Sequence, residues 1–390
     1  MSNWKLRRRR HRQRRALTYL ALSLAALSCR ATSDRPNSWT AFRGSPTHRG
    51  SAPTAKQVDN PQLLWSFETG GTVESSPTVV DGTLYCGTFA NNLFALDAQT
   101  GEERWRFPVA GLVRASPAVA RGLVYFGADD NRFYAVETSS GKARFAVALG
   151  DGGQQSSPTI LDGVCYFGGF DHKVYALDAK TGAERWTFAT GGEILSSPAV
   201  HNGLLAIGSR DGNVYGIEAD SGQERFRFAT EAGVWCSPAI VGELVVVGSD
   251  DGNVYALDVH SGQEQWRFPT GGAVFSSPVI DADGGTVYIG SDDHNLYAVE
   301  LQTGQERWRC DLRGRVLGTP AWVGNHLYVG GEGAGGDQPG ALFAVDRHTG
   351  LVAWRFEVGS TVWSSPAAVG QSLWFGAHDG KIRCVTEAAR

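Results

Sequence analysis

Three places in this 390-residue chain put a carboxylate beside an imidazole: Asp171-His172, Asp292-Asp293-His294 and His378-Asp379. Such pairs can ligate a metal or relay a proton. Each lies in a short Asp/Asn/Gly segment between apolar runs, and no copy spaces its ligands so that one element would offer two of them to one ion. Asp and Asn also favour hairpin turns for purely conformational reasons. No Ser, Thr or Cys nucleophile stands with a base, and there is no phosphate loop or zinc pattern. The six cysteines, Cys29, Cys86, Cys165, Cys236, Cys310 and Cys384, include no adjacent pair and no Cys-x-x-Cys. The last five fall where comparable segments carry Ala, Val, Ser or Phe, so they read as buried thiols used as small apolar groups. The residues therefore predict no catalytic group, no bound metal and no cofactor.

The elements that carry these residues repeat about every 40 positions. The beat is kept by Pro77, Pro117, Pro158, Pro198, Pro238, Pro278, Pro320 and Pro366, usually after two serines, and by an aromatic column. That column is Trp65, Trp105, Phe145, Trp186, Phe226, Trp266, Trp308 and Trp354. The fifth copy is the clearest. Val234 to Val241 reads as a first strand, Leu244 to Gly248 as an apolar second strand, Asn253 to Asp258 as an alternating third and Gln265 to Phe268 as a fourth. Asp251-Gly252 supplies the left-handed backbone of a tight hairpin. Eight such units predict an all-β, eight-bladed β-propeller of four-stranded antiparallel blades. The last copy ends after its third strand, whereas Leu64-Trp65-Ser66-Phe67 is a fourth strand with no blade before it. The N-terminal strand is expected to complete the last blade and remove two sheet edges.

The segment Ala256-Leu-Asp-Val-His-Ser-Gly-Gln-Glu-Gln-Trp266 recurs, for example at Ala95 to Trp105, Ala176 to Trp186 and Ala344 to Trp354. Its small residue admits a neighbouring blade, its Asp caps turn amides, its Gly takes a positive φ and its aromatic ring gives a flat docking face. Trp65, Trp105, Trp186, Trp266, Trp308 and Trp354 are thus expected to be blade-docking residues. The pattern Ala-x-Asp-x-x-Thr-Gly-x-x-x-Trp resembles the tryptophan-docking motif of the pyrroloquinoline-quinone-type propeller family, over residues 63–387. Trp39-Thr-Ala-Phe-Arg-Gly44 with Arg49-Gly50 resembles the lead-in that precedes many such propellers.

Residues 1–28 read as a signal peptide: Lys5, Arg7 to Arg10, Arg12, Arg14 and Arg15 precede an apolar stretch from Ala16 to Leu27, too short to span a bilayer comfortably. Two processing routes fit. Ala26-Leu27-Ser28 suits ordinary cleavage, while Leu27-Ser28-Cys29 resembles a bacterial lipobox that would place lipid on Cys29. Residues 29–62 then form a tether and lead-in, and 63–390 the propeller. The whole chain has 36 basic and 40 acidic residues. All the acidic ones lie outside the signal, so the remainder is strongly acidic, which argues against nucleic acid and anionic lipid as partners.

Two sets of residues on one face are candidates for binding. The residue before each Ser-Ser-Pro element does not repeat: Glu74, Arg114, Gln155, Leu195, Trp235, Phe275, Leu317 and Trp363. A column free of the packing pattern is expected to line the mouth of the central channel. Asp129, Asp130, Asp171, Asp211, Asp250, Asp251, Asp292, Asp293 and Asp379, in the second hairpins, make a candidate acidic docking rim. Gly331 to Gly340 lengthens the seventh repeat into a glycine-rich loop. Within the resembled family the layout is most similar to the propeller lipoprotein of the outer-membrane β-barrel assembly machinery. That resemblance implies an exported, monomeric, non-catalytic scaffold in the periplasm or on the outer membrane, docking on the barrel-assembly subunit. A sensor or ligand-binding module is the alternative. The family's quinone dehydrogenases imply pyrroloquinoline quinone over calcium, held by a tryptophan and adjacent cysteines. This chain has no such cysteines, and Trp235 or Trp363 is its nearest stacking platform.

Overall fold

The computed structural model describes residues 38, 40–48, 50–52, 55–333 and 339–389. The signal peptide, Cys29, Trp39, Arg49 and residues 334–338 of the seventh-repeat loop lie outside the described residues. Eight four-stranded antiparallel sheets form the fold. Blade 1, for example, is Thr78–Val80, Thr83–Thr88, Asn92–Asp97 and Glu103–Pro108. Second and third strands are buried on both faces, while outer strands alternate, as in Glu184–Ala189. The apolar core is therefore divided among the blade interfaces, as where Tyr85, Leu93 and Ala95 pack on Val113, Val124 and Phe126.

The chain termini close the ring. Pro61–Glu68 pairs antiparallel with Lys381–Glu387, from Pro61 opposite Glu387 to Glu68 opposite Lys381, and the sheet continues through Ser372–Gly376 to Ala367–Val369. Each outer-strand tryptophan then docks on the next blade. The indole N–H of Trp105, Trp186, Trp266 and Trp308 donates to the carbonyls of Thr138, Ala219, Leu301 and Arg347, at 2.9–3.0 Å. Trp65 does the same across the seam to Ala98 at 3.1 Å, and Trp354 donates to Val58 at 2.9 Å. Under Trp65 lies Gly101, at φ +76, where an added Cβ would come within 2.6 Å of the ring.

Inner strands are shorter than the sequence implies: blade 5 starts at Ala239, not Val234. The cause is a lateral set of bonds. Pro238 has no N–H to give its own sheet, and the Ser237 N–H donates to the Ser277 hydroxyl in the next blade. The same bond recurs at every interface. Ser76 donates to Ser116, Ser116 to Ser157, Ser157 to Ser197, Ser197 to Ser237, Ser277 to Thr319, Thr319 to Ser365 and Ser365 to Ser76, all at 2.9–3.2 Å. This closed circle of N–H···Oγ bonds explains why a hydroxyl residue precedes every proline of the repeat.

The lead-in is part of the ring. Its carbonyls at Thr40, Pro46, Thr47 and Gly50 accept from Val119, Val200, Ile240 and Trp322, on the inner strands of blades 2, 4, 5 and 7. It thus crosses the channel at the end where first and second strands turn. Arg43 and His48, at 2% and 1% exposure, are sealed beneath it. The opposite end carries the second-to-third-strand hairpins and the connections between blades.

Candidate functional site

The mouth of the channel is built on a simple alternation. Val73, Val113, Ile194, Val234, Val274, Val316 and Val362 are fully buried. Each sits over a glycine of the preceding blade's second strand, such as Gly248 under Val274, leaving no room for a side chain there. Gln154 takes this place in blade 3. The next residue in each copy turns the other way. Glu74, Arg114, Gln155, Leu195, Trp235, Phe275, Leu317 and Trp363 are all half-buried, between a buried residue before and a buried residue after.

A second ring stands beside this one, and of its members the sequence reading took only Asp129, Asp250 and Asp292 as binding candidates. Phe89, Asp129, Phe170, Arg210, Asp250, Asp292, Glu332 and His378 each donate a main-chain N–H to the connection entering the same or next blade, such as Asp250 to Gly233 and His378 to Thr361. Their types differ from blade to blade. The signal that finds them is the one already used for the first ring: a column that does not repeat amid columns that do.

The geometry divides the rim aspartates into two sets. Asp130, Asp171, Asp211, Asp251 and Asp293 each accept the hydroxyl of the tyrosine four residues on. Asp211, Asp251 and Asp293 also accept main-chain N–H groups from the adjoining connection, at Gly191, Glu231 and Gly271. Asp379 pairs with Arg383. These carboxylates hold hairpins and connections together. Asp129, Asp250 and Asp292 belong instead to the second ring; each has one buried oxygen with no hydrogen-bond partner among the described residues, as Asp130 and Asp171 also do.

The two rings form two arcs. In the first, Arg114 binds Asp129 at 2.8 Å and lies 4.0 Å from Glu74. Glu74 is 3.5 Å from His378, whose ring meets Trp363 edge-on at 4.5 Å. Burial pushes the Glu74 carboxyl up, against Arg114, and pushes His378 down. In the second arc Arg210 pairs with Glu193 at 2.6 Å and lies 5.0 Å over Trp235, which packs edge-on against Phe275. Arg315 binds Glu332 at 2.5 Å and approaches Asp292 to 3.8 Å. Burial raises the Asp250 carboxyl to about 6, with Asp251 and Asp292 adding to the rise and Arg210 opposing it.

That shift has a testable sign. A carboxyl raised in the folded state favours folding below its unfolded value and loses that contribution as pH rises through 6. Asp250→Asn is therefore expected to stabilise the protein above pH 6, by about 1 kcal/mol after allowing for solvent screening, and to change nothing near pH 4. Urea unfolding at both pH values measures this; equal effects at the two would contradict it.

The mouth does not suit the quinone chemistry that the repeat family implies. Arg210 already lies on Trp235, and His378 packs on Trp363. Among the described residues no group of three or more His, Cys, Asp or Glu is arranged to hold a metal ion. Cys86, Cys165, Cys236, Cys310 and Cys384 are free and buried in separate blades. Burial raises Cys236 to about 11 and Cys86 and Cys384 to about 12, which leaves them unreactive thiols.

The family model described as outer membrane protein assembly factor BamB matches residues 52–187, 170–282 and 261–388 in three overlapping passes. The chain belongs to this BamB family. No curated protein matches it by sequence. BamB from Moraxella catarrhalis is similar in structure, with 15% identity over 85% of this chain and 98% of that one and a TM-score of 0.68. So is the quinohemoprotein alcohol dehydrogenase from Comamonas testosteroni, with 15% identity over 93% and 82% and a TM-score of 0.78. The computationally designed Ika8 protein shares 17% identity over 83% and 99%, with a TM-score of 0.73. At these identities the likeness is one of fold, which BamB-type proteins and quinoprotein dehydrogenases have in common. No helix among the described residues is long and apolar enough to cross a membrane.

Proposed function

We propose that this BamB-family chain is a non-catalytic scaffold of the cell envelope that docks a protein partner of outer-membrane protein assembly through its channel mouth. One observation carries the reading. The positions that do not repeat from blade to blade gather in two rings on this face, while the other end of the channel is covered by the protein's own lead-in. A symmetric ring that needed only stability would repeat these columns as it repeats the others. Here they give one arc of charged and imidazole groups and another of aromatic and paired charged groups, a lopsided surface that can fix the orientation of a partner. The half-buried Trp235 and Phe275 are the anchors of that surface, and Asp129, Asp250 and Asp292 its acidic rim. Export and a lipid on Cys29 would place the scaffold at the membrane where barrels are assembled.

A photo-reactive residue in place of Phe275 tests this in cells, with Gln265 on the exposed outer strand of the preceding blade as control. The expected result is a discrete adduct with the barrel-assembly subunit from position 275 and none from 265. Adducts from the outer strand alone would move the interface off the mouth and overturn the reading.

A further inference from the structure

Arg43 is the largest fully buried side chain in the described residues. Its backbone is held at φ 58, in the left-handed region, within the three-residue 3-10 turn of the lead-in. Such a conformation is disfavoured in a residue other than glycine and persists only where its surroundings hold it. The strained turn delivers the guanidinium to the propeller axis. There Nη1 donates to the carbonyls of Ser237 and Pro238, at 3.1 and 3.2 Å.

The rest of the guanidinium is unmatched. Nε and Nη2 are sealed from solvent and have no hydrogen-bond partner among the described residues. These two nitrogens form one edge of the planar group, and at three exposed or half-buried arginines that edge is used in one way. In Arg106, Arg225 and Arg267 it takes both oxygens of one carboxylate, from Glu103, Glu218 and Glu264, at 2.5–2.9 Å. Arg43 has the same edge and no carboxylate on it. Burial lowers it only to about 9, so it is charged at neutral pH. Neighbouring His48 is pushed well below its ordinary range by burial and by Arg43, and supplies no negative charge. An uncompensated charge in a protein interior is costly, by several kcal/mol.

A second observation comes from the circle of hydroxyls. Ser237, whose carbonyl receives Arg43, is one of its members. Each of the eight hydroxyls accepts an N–H, yet among the described residues none donates its own proton to a protein oxygen. The eight residues keep a small exposure of 3–8%, whereas the serines before them, such as Ser75, Ser156 and Ser196, have none. Among the described residues the channel at this level is thus lined by hydroxyls, with a cation at one end and no acidic side chain.

We propose that a small planar oxyanion, of formate, nitrate or bicarbonate size, occupies the channel axis between the hydroxyl circle and the lead-in, seated on the Nε/Nη2 edge of Arg43. Two parallel N–H···O bonds would hold it, as they hold the three glutamates, and ring hydroxyls would complete its coordination. Because the segment that carries Arg43 also covers it, the ion enters as the lead-in seats and exchanges slowly. This site lies below the docking mouth, on the lead-in side of the hydroxyl circle, and stands whether or not the mouth binds a partner.

The test compares the full folded protein in sodium formate and in sodium gluconate, an anion too large to enter, at equal ionic strength. Crystals grown in formate should show planar density bridging Nε and Nη2. The melting temperature should be several degrees higher in formate than in gluconate, a difference that Arg43→Gln abolishes. Should that variant fail to fold, Arg43→Lys keeps the charge without the fork and is expected to lose the formate preference. A water alone on that edge in formate-grown crystals, or equal melting in the two salts, would overturn the proposal.

Discussion

Trp65→Ala is expected to destabilise the protein by about 3–5 kcal/mol, as removal of a buried tryptophan does, and by more than Trp186→Ala. Both indoles lie over a glycine and donate to a carbonyl of the next blade. The difference lies in what else holds the strand. Trp186 is on an outer strand joined to its own sheet by a short hairpin. Trp65 is on Pro61–Glu68, which meets Lys381–Glu387 through non-covalent contacts with no hairpin between them. Losing side-chain docking there exposes a joint whose closure spans almost the whole chain, with the larger entropy that a long loop carries. The carbonyl of Ala98 also receives the indole of Trp374 at 3.0 Å, so the seam is held by two tryptophans on one acceptor. Urea midpoints for the two variants decide the matter; equal midpoints would mean that the seam is no weaker than any other interface.

Gly248→Ala is expected to cost about 1–3 kcal/mol through overpacking. The added methyl would stand 2.3 Å from Val274 Cγ1 and 3.0 Å from the Val274 carbonyl oxygen, and a carbonyl on the connection entering blade 6 cannot withdraw without parting blades 5 and 6. Val274→Ala empties part of the space. The double variant is therefore expected to be more stable than the sum of the two single losses, with a coupling of about 1 kcal/mol or more, as contacting residues show. Strict additivity in denaturant unfolding would show that the methyl is accommodated elsewhere. The same test applies at Gly208 with Val234 and at Gly290 with Val316, where the geometry is repeated.

The ring was legible in the sequence because its constraints are local and recur. A Ser-Pro, an Asp-x-x-x-Gly turn and a tryptophan at fixed spacing each perform one packing task, and eight copies make the tasks visible. Closure was legible for the same reason: one strand stood without a blade and one blade without a strand. The aspartates were read less well. Asp250 and Asp251 are neighbours of the same type, yet Asp251 accepts the Tyr255 hydroxyl while Asp250 faces the mouth. The spacing of four to a tyrosine, repeated at Asp130, Asp171, Asp211 and Asp293, was the available signal. The seat of the lead-in was not legible. Thr40 to Ala52 occurs once, and its partners Val119, Val200, Ile240 and Trp322 are dispersed over two hundred residues; the first three are the Val or Ile that most sister copies also carry, and only Trp322 departs from them.

The joint between the two ends also fixes an order of events in time. Residues 40–68 leave the ribosome before any complete blade, but their partners include Tyr328, Gly370, Lys381 and Glu387, up to 328 positions later. No bond across the seam can form, and the lead-in cannot finish crossing the channel, until the last strand has been made. A nascent chain of seven and a half blades is an open arc with two raw edges and an uncovered bore. Contacts of such long range are slow to form, so this protein completes its fold only after synthesis, and residues made early are among the last to come to rest.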